Sequence, residues 1–378
     1  GAAEIFVNSV SGNNANPGSQ QAPLKDFRPA LAKAQPGDTI RIMPINVPIR
    51  ANFQIRNKNG AADKPIVIDG GLNTFIGTMP IETQKWEMVS PGLYKQTKQV
   101  APGLISRYYM CFDGKMNRMG RLGKWKNAGY KKVEDLKDYE WTIVNKTEVY
   151  VKIPADRKLA DCKIEEPVRV SGVELSGESS HYIFRNMIVK NFWNDGYNIH
   201  QNCRNILFEN VAAIYNGDDG VSAHETCQIT IRNYIAIGNS TGMCHIQDSE
   251  CTHENVYIAA TAGRDIYMLN RKNVIRNVAI DGSSPGGVEF TSDSKNAEVF
   301  GENQLQQCFF FSAEPSARLV FMPKSKVTAE KVDCFNYQPT PALPAGFIKA
   351  ENPAELKKNI EALKKQLFAI FGDRLKLD

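Results

Sequence analysis

The sequence predicts an all-β chain wound as a parallel β-helix, and three observations carry that expectation. Five segments between about residues 180 and 293 (IFRNMIVKN, ILFENVAAIYN, ITIRNYIAIGN, CTHENVYIAAT and NVIRNVAIDGS) align on Asn186, Asn210, Asn233, Asn255 and Asn277, separated by 24, 23, 22 and 22 residues. A second landmark follows about ten residues on, as Asp195-Gly196, Asp219-Gly220, Thr241-Gly242, Arg264-Asp265 and Gly286-Gly287, each leading into a short run such as YNIH, VSAH, MCHI, IYML or VEFT. Neither a leucine framework nor a 3.6-residue apolar stripe accompanies the repeat, which excludes leucine-rich and helical solenoids.

Each repeat therefore reads as strand, turn, strand, turn. Two positions before the asparagines stand Phe184, Phe208, Ile231, His253 and Ile275, and one position after them Met187, Val211, Tyr234, Val256 and Val278, mostly apolar columns suited to a core. Coils of this length stack at the strand spacing, about 4.8 Å, with like residues over like. The asparagines then need no catalytic explanation, because each amide can bond the turns above and below it.

The opening IFVNSVSGNNANPGSQQAPLKDFRPALAKAQPGDTIRIMP resembles the start of pectin-lyase-like right-handed β-helix proteins, with a first strand, a Gly/Pro loop, a short helix, and PGDTI entering the first coil. The resemblance covers the N-terminus and residues 165 to 310. It implies a right-handed, single-stranded winding, a capping helix from about Phe27 to Ala34 over the open end of the stack, and a carbohydrate-active protein. Residues 80 to 165 break the rhythm: WEMVSPGLYKQ, MCFDGKMNRMGRL and YEWTIVNKTEVYVKIP read as strands of an inserted β-lobe, similar to insertions in several carbohydrate-active β-helix proteins. Beyond about residue 310 the pattern fades, Pro339 to Pro344 read as a linker, and Asn352-Pro353-Ala354-Glu355 opens an amphipathic helix with cap, N1 proline and early acid in place. The expected organisation is 1–80 cap and first coils, 81–165 lobe, 166–338 main coils, and 339–378 linker and C-terminal helix.

Composition narrows the function classes. Hydrophobic residues make up 42% of the chain and charged residues 23%, and no apolar run approaches the length of a membrane span. The start GAAEIFVNS lacks the basic and apolar regions of a signal peptide, so a secreted, periplasmic or cell-surface mature chain is expected from the fold. Eight cysteines without a CxxC pair read as buried thiols rather than a disulfide or zinc framework. A net charge of +5 is too small to argue for nucleic acid, but seven basic and no acidic residues lie between Lys115 and Lys132, interleaved with Trp125 and Tyr130. That stretch is either a solvated loop or a rim that attracts an acidic polymer, with Trp125 a substrate-binding candidate. The expected partner is a polysaccharide, and the chain reads as a monomer that binds no nucleic acid.

The strongest chemical constellation is NDG at 194–196, followed one coil later by GDDG at 217–220. In register, Asp195 lies beside Asp219 with Asp218 adjacent. Carboxylates so close cannot all ionise freely, which is the condition for a general acid beside a general base in glycoside hydrolysis. The pattern is similar to that of polygalacturonases, and the resemblance implies Asp195, Asp218 and Asp219 as acid and bases. The chain departs from that family at Thr241-Gly242, where the family has His-Gly, and at Arg264-Asp265-Ile266, the nearest echo of its Arg-Ile-Lys. NDG and DDG also serve as plain turns. A second candidate pair is Glu225 and Asp248, 23 residues apart, as acid/base and nucleophile, with His200 under His224 and with His245 and Arg264 holding substrate. A third reading is a lyase in which Asp195, Asp218 and Asp219 hold calcium and Arg264 or a lobe lysine abstracts a proton. GxSxG, P-loop and HExxH motifs are absent. The leading expectation is a secreted hydrolase needing no cofactor, the alternatives being a calcium-dependent lyase and a non-catalytic glycan-binding solenoid.

Overall fold

The computed structural model describes residues 2–97, 105–118, 129–292 and 300–377. Two parallel sheets, of eleven and nine strands, form the body among those residues. In the larger sheet Tyr182 pairs with Ile206, Ile206 with Ile229, Ile229 with Cys251 and Cys251 with Asn273, reproducing the spacing of the asparagines.

Each long strand of the repeat bends at its asparagine. Asn186, Asn210, Asn233, Asn255 and Asn277 have φ between 52° and 57°, the left-handed region that asparagine tolerates better than any β-branched residue. The amide of Asn186 donates to Asp69 Oδ1 at 3.3 Å, and each later one to the asparagine one coil below, Asn210 to Asn186 at 3.1 Å, Asn233 to Asn210 at 2.9 Å, Asn255 to Asn233 at 3.0 Å and Asn277 to Asn255 at 2.9 Å. The ladder is structural. Replacing Asn233 by Ala removes both of its ladder bonds and leaves at φ 56° a residue that lacks asparagine's tolerance of the left-handed region. It should cost about 2–4 kcal/mol in urea denaturation, and Asn233→Gly should recover about 1 kcal/mol of it by relieving the backbone.

The half-strands after the bend are apolar on both faces, as in MIVK, VAAI and YIAI. The inward residues fill the solenoid. The outward Ile188, Ala212, Ile214, Ile235, Ile237, Tyr257, Ala279 and Phe309 are covered by the C-terminal helix through Leu356, Ile360, Leu363, Leu367 and Phe371. That helix, α2 (Pro353–Phe371), starts as expected, with Asn352 Oδ1 accepting from the Ala354 amide at 2.9 Å. The N-terminal helix, α1 (Phe27–Lys33), lies over the other end of the core, with the Phe27 ring 4.7 Å from Phe53.

The inserted lobe contains two four-stranded antiparallel groups, one from Glu87–Ser90, Leu93–Thr97, Glu140–Val144 and Glu148–Lys152, the other from Thr78–Pro80, Met110–Phe112, Lys115–Asn117 and Ile164–Pro167. Its own core, around Trp86, Tyr108 and Trp141, reaches Trp193 on the solenoid. The coils run on through Gly301–Phe311, Ala317–Phe321 and Ser325–Phe335, within the expected 166–338 although the repeat pattern fades there. One expectation needs correction: the supposed linker supplies an edge strand, Tyr337–Thr340, paired with Ala317–Val320. The prolines hid it, yet an edge strand needs no donor on its outer side. The bend positions there are Gln307 and Lys331, at φ 54° and 56°, so the asparagine signature had run out while the geometry had not. Every cysteine is a free thiol and all but Cys162 are buried.

Candidate active site

In the nine-strand sheet, Val173, Tyr197, Val221, Met243, Ile266 and Val288 stack and point inward. Strand alternation then sets Glu174, Asn198, Ser222, Cys244, Tyr267 and Glu289 in a row on the outer side. Where these strands begin, the expected register holds, for Asp219 pairs with Thr241 and the Asp219 amide donates to Asp195 Oδ1 at 2.9 Å. One oxygen from each of Asp195, Asp218 and Asp219 lies within 4.8 Å of the others, and none of the three residues is more than 3% exposed. Gly220, beside Asp219, leaves room for the Tyr234 hydroxyl, which a β-carbon there would meet at 2.1 Å.

The inserted lobe forms the wall beside them. Arg107 Nε reaches Asp218 Oδ2 at 3.1 Å, and Arg118 donates to the carbonyls of Asn216 at 2.7 Å and Gly238 at 2.5 Å, pinning the turns that carry the aspartates. Burial lowers the Arg118 pKa to about 10. Carboxylates this close disfavour one another's ionised form, and the Arg107 guanidinium and the charge of Arg118 act against that repulsion at Asp218. Three carboxylate oxygens at this spacing have the hard-donor chemistry of a calcium site, in which each would lie about 2.3–2.6 Å from the ion.

The other candidates fare differently. His200 and His224 do stack, with ring centroids 3.8 Å apart and planes 14° off parallel, and His200 Nδ1 lies 3.4 Å from Glu225 Oε1. Glu225 does not align with Asp248. It sits in a turn ladder with Gln201 and Gln247, accepting from the Gln201 amide at 2.6 Å while its own amide donates to Gln247 at 2.7 Å. The one-residue offset leaves Asp248 exposed in the next turn. His245 is another correction, because it points into the solenoid, fully buried, with Nε2 2.8 Å from His253 Nε2. Arg264 is 8% exposed, lies over the Tyr267 ring at 4.1 Å and approaches Glu289 at 3.4 Å. Trp125 lies outside the described residues.

No protein-family model matches the sequence, and no curated protein matches it either. Solved structures do. One described as a glycoside hydrolase is 12% identical and covers 89% of this chain and 88% of its own, with a TM-score of 0.53. The chain has the parallel β-helix fold. The crystal structure of pectate lyase Pel9A is 14% identical, covers 93% of this chain and 80% of its own, and has a TM-score of 0.49. No helix among the described residues is long and apolar enough to cross a membrane.

Sequence reading missed two residues of this β-helix site. Glu174 aligns one coil before Asn198, and its pKa is raised by burial against the opposing pull of Gln54, the Ser171 amide and His200. The run VEL, 24 residues before YNI, carried that signal, since Val173 pairs with Tyr197. Arg107 had none, for it comes from the lobe, outside any coil spacing.

Proposed function

We propose that this chain is a polysaccharide-cleaving glycoside hydrolase acting outside the cytoplasm, with its acid and base among Asp195, Asp218 and Asp219. The observation that carries the reading is the clustering of those three carboxyl oxygens within 4.8 Å at the head of a polar row on the sheet surface. In this reading the proton shared by the cluster passes to the leaving glycosidic oxygen as its bond to the anomeric carbon breaks. An ionised neighbour takes a proton from the water that adds to that carbon. Asp218, beside Arg107, is assigned the ionised role. Glu174, Asn198, Ser222 and the stacked histidines line the path of the polymer.

The same cluster suits calcium, which in a lyase would neutralise a uronate carboxylate. That chemistry also needs a base. Arg118 is turned into main-chain carbonyls, and Arg264 into Glu289 and Tyr267. Among the described residues neither arginine is placed as that base, which favours the hydrolase. Digestion of pectins, alginate, xylans and sulfated glycans, with calcium or with chelator, should give new reducing ends without the ultraviolet absorbance of unsaturated sugars, and chelator should leave the rate unchanged. Absorbance that vanishes with chelator would overturn the hydrolase in favour of the lyase.

A further inference from the structure

A second cavity lies around the coil turn from the carboxylates, between the outer face of the eleven-strand sheet, the inserted lobe and the residues after α2. Its volume is ≈ 320 Å³, in the range of small-molecule sites, and its lining gathers Arg50, Lys163, Lys190, Arg374 and Lys376 with one acid, Glu165. The cations come from four separate stretches of chain, so no local sequence run accounts for their convergence. Glu165 does not offset them all, since Arg50 already holds it at 2.7 Å and the Thr78 hydroxyl at 2.8 Å. Burial pushes its carboxyl up, but those two bonds and the charges of Arg50 and Lys163 outweigh burial and hold it below the usual range. Arg374 is fixed in place by the Leu72 carbonyl at 3.1 Å and Asn73 Oδ1 at 3.0 Å. An adjoining depression shares Arg374 and Lys376 and adds a single further acid, Asp373.

Converging like charges repel, and an anion in their midst relieves that repulsion. Beside the cations the lining offers the exposed ring of Pro48, on which the C–H face of a sugar ring can rest, and the half-buried Thr74, while Ile76, Ile188 and Ile214 are buried beneath it. We propose that this cavity is a subsite for an anionic sugar unit, a pyranose bearing a carboxylate or a sulfate. The assignment extends the polysaccharide reading to a substrate class, but it does not depend on the aspartate chemistry.

The test is calorimetric titration of the Asp219→Asn protein, in which slow turnover is expected, with sodium glucuronate, glucose 6-sulfate, glucose and inorganic sulfate at constant ionic strength. Saturable binding of glucuronate, glucose 6-sulfate or both is expected, weakened roughly tenfold or more by the pair Lys163→Glu and Lys376→Glu. Which anion binds identifies the oxyanion. Both lysines are exposed, so the fold should persist, and Lys376→Glu alone provides a milder variant. Neither charged sugar binding above glucose, or binding that ignores both variants, would overturn the proposal. Inorganic sulfate matching the charged sugars would overturn the sugar assignment and leave a simple oxyanion site. Absence of polysaccharide cleavage by the parent protein would not alter any of these readings.

Discussion

Asp219→Asn should lower the rate of reducing-end release by about 10²–10⁴-fold on any polysaccharide the parent cleaves, with the melting temperature held or raised. The substitution keeps the shape and takes away the charge. The backbone bond from residue 219 to Asp195 Oδ1 survives it, because the donor is the amide. What is lost is one of three carboxyl groups that crowd within 4.8 Å, and on the proposed mechanism the acid and base are both drawn from those three. Removing one of three crowded acids also relieves repulsion, which is why stability should not fall. The contrasting variant is Glu225→Gln. It converts the turn ladder to three successive glutamines and should leave the rate within about twofold, since the amide oxygen can still accept from the Gln201 amide. If the two variants exchanged these outcomes, the reacting centre would lie at the stacked histidines instead.

The contrast between those two residues also shows where the sequence was legible. The Asp195–Asp219 register could be read because both sit at a fixed distance from a ladder asparagine on coils of 24 and 23 residues, ahead of the next shortening. Glu225 and Asp248 lie across a turn where the coil shortens to 22, so counting 23 residues slipped by one and paired Glu225 with the wrong neighbour. A one-residue slip in a strand exchanges the inner and outer faces, which is also how His245 passed for a surface residue. The fold was readable because the asparagine, the apolar columns and the turn glycines all report the same stacking. The walls of the site were not, because Arg107 and Arg118 arrive from the lobe through contacts that no repeat encodes. The basic cavity was invisible for the same reason, its cations being separated by up to 326 positions, from Arg50 to Lys376.

The second large effect expected is a loss of stability on mild acidification, and its source is the histidine pair inside the solenoid. His253 Nδ1 lies 2.9 Å from the Val274 carbonyl and must donate to it, so its Nε2 is an acceptor. His245 Nδ1 accepts from the Ala223 amide at 3.0 Å, so its own Nε2 carries the hydrogen and donates to His253 across 2.8 Å. Both rings are therefore neutral, with every nitrogen satisfied, and neither can take a proton without losing an acceptor in the core. Burial lowers the His253 pKa to about 4, and burial with the neighbouring His253 and His224 takes His245 well below its usual value. Depressed pKa values mean that the unfolded chain binds protons first as pH falls. The stability these groups contribute is then complete above about pH 6.5 and drains away as pH drops towards 4, by about 3 kcal/mol for His253 alone. The neighbouring coils show the remedy, because the His253 column holds Ile231 and Ile275, and His245 pairs with Met268. The double variant His245→Met and His253→Ile should flatten the slope of unfolding free energy against pH between about 6.5 and 4. His253→Ile alone should instead cost about 1–3 kcal/mol at neutral pH, since it strands the buried His245 N–H. Urea titrations across that range measure both, and an unchanged acid slope in the double variant would assign acid sensitivity to other groups, among them the clustered aspartates.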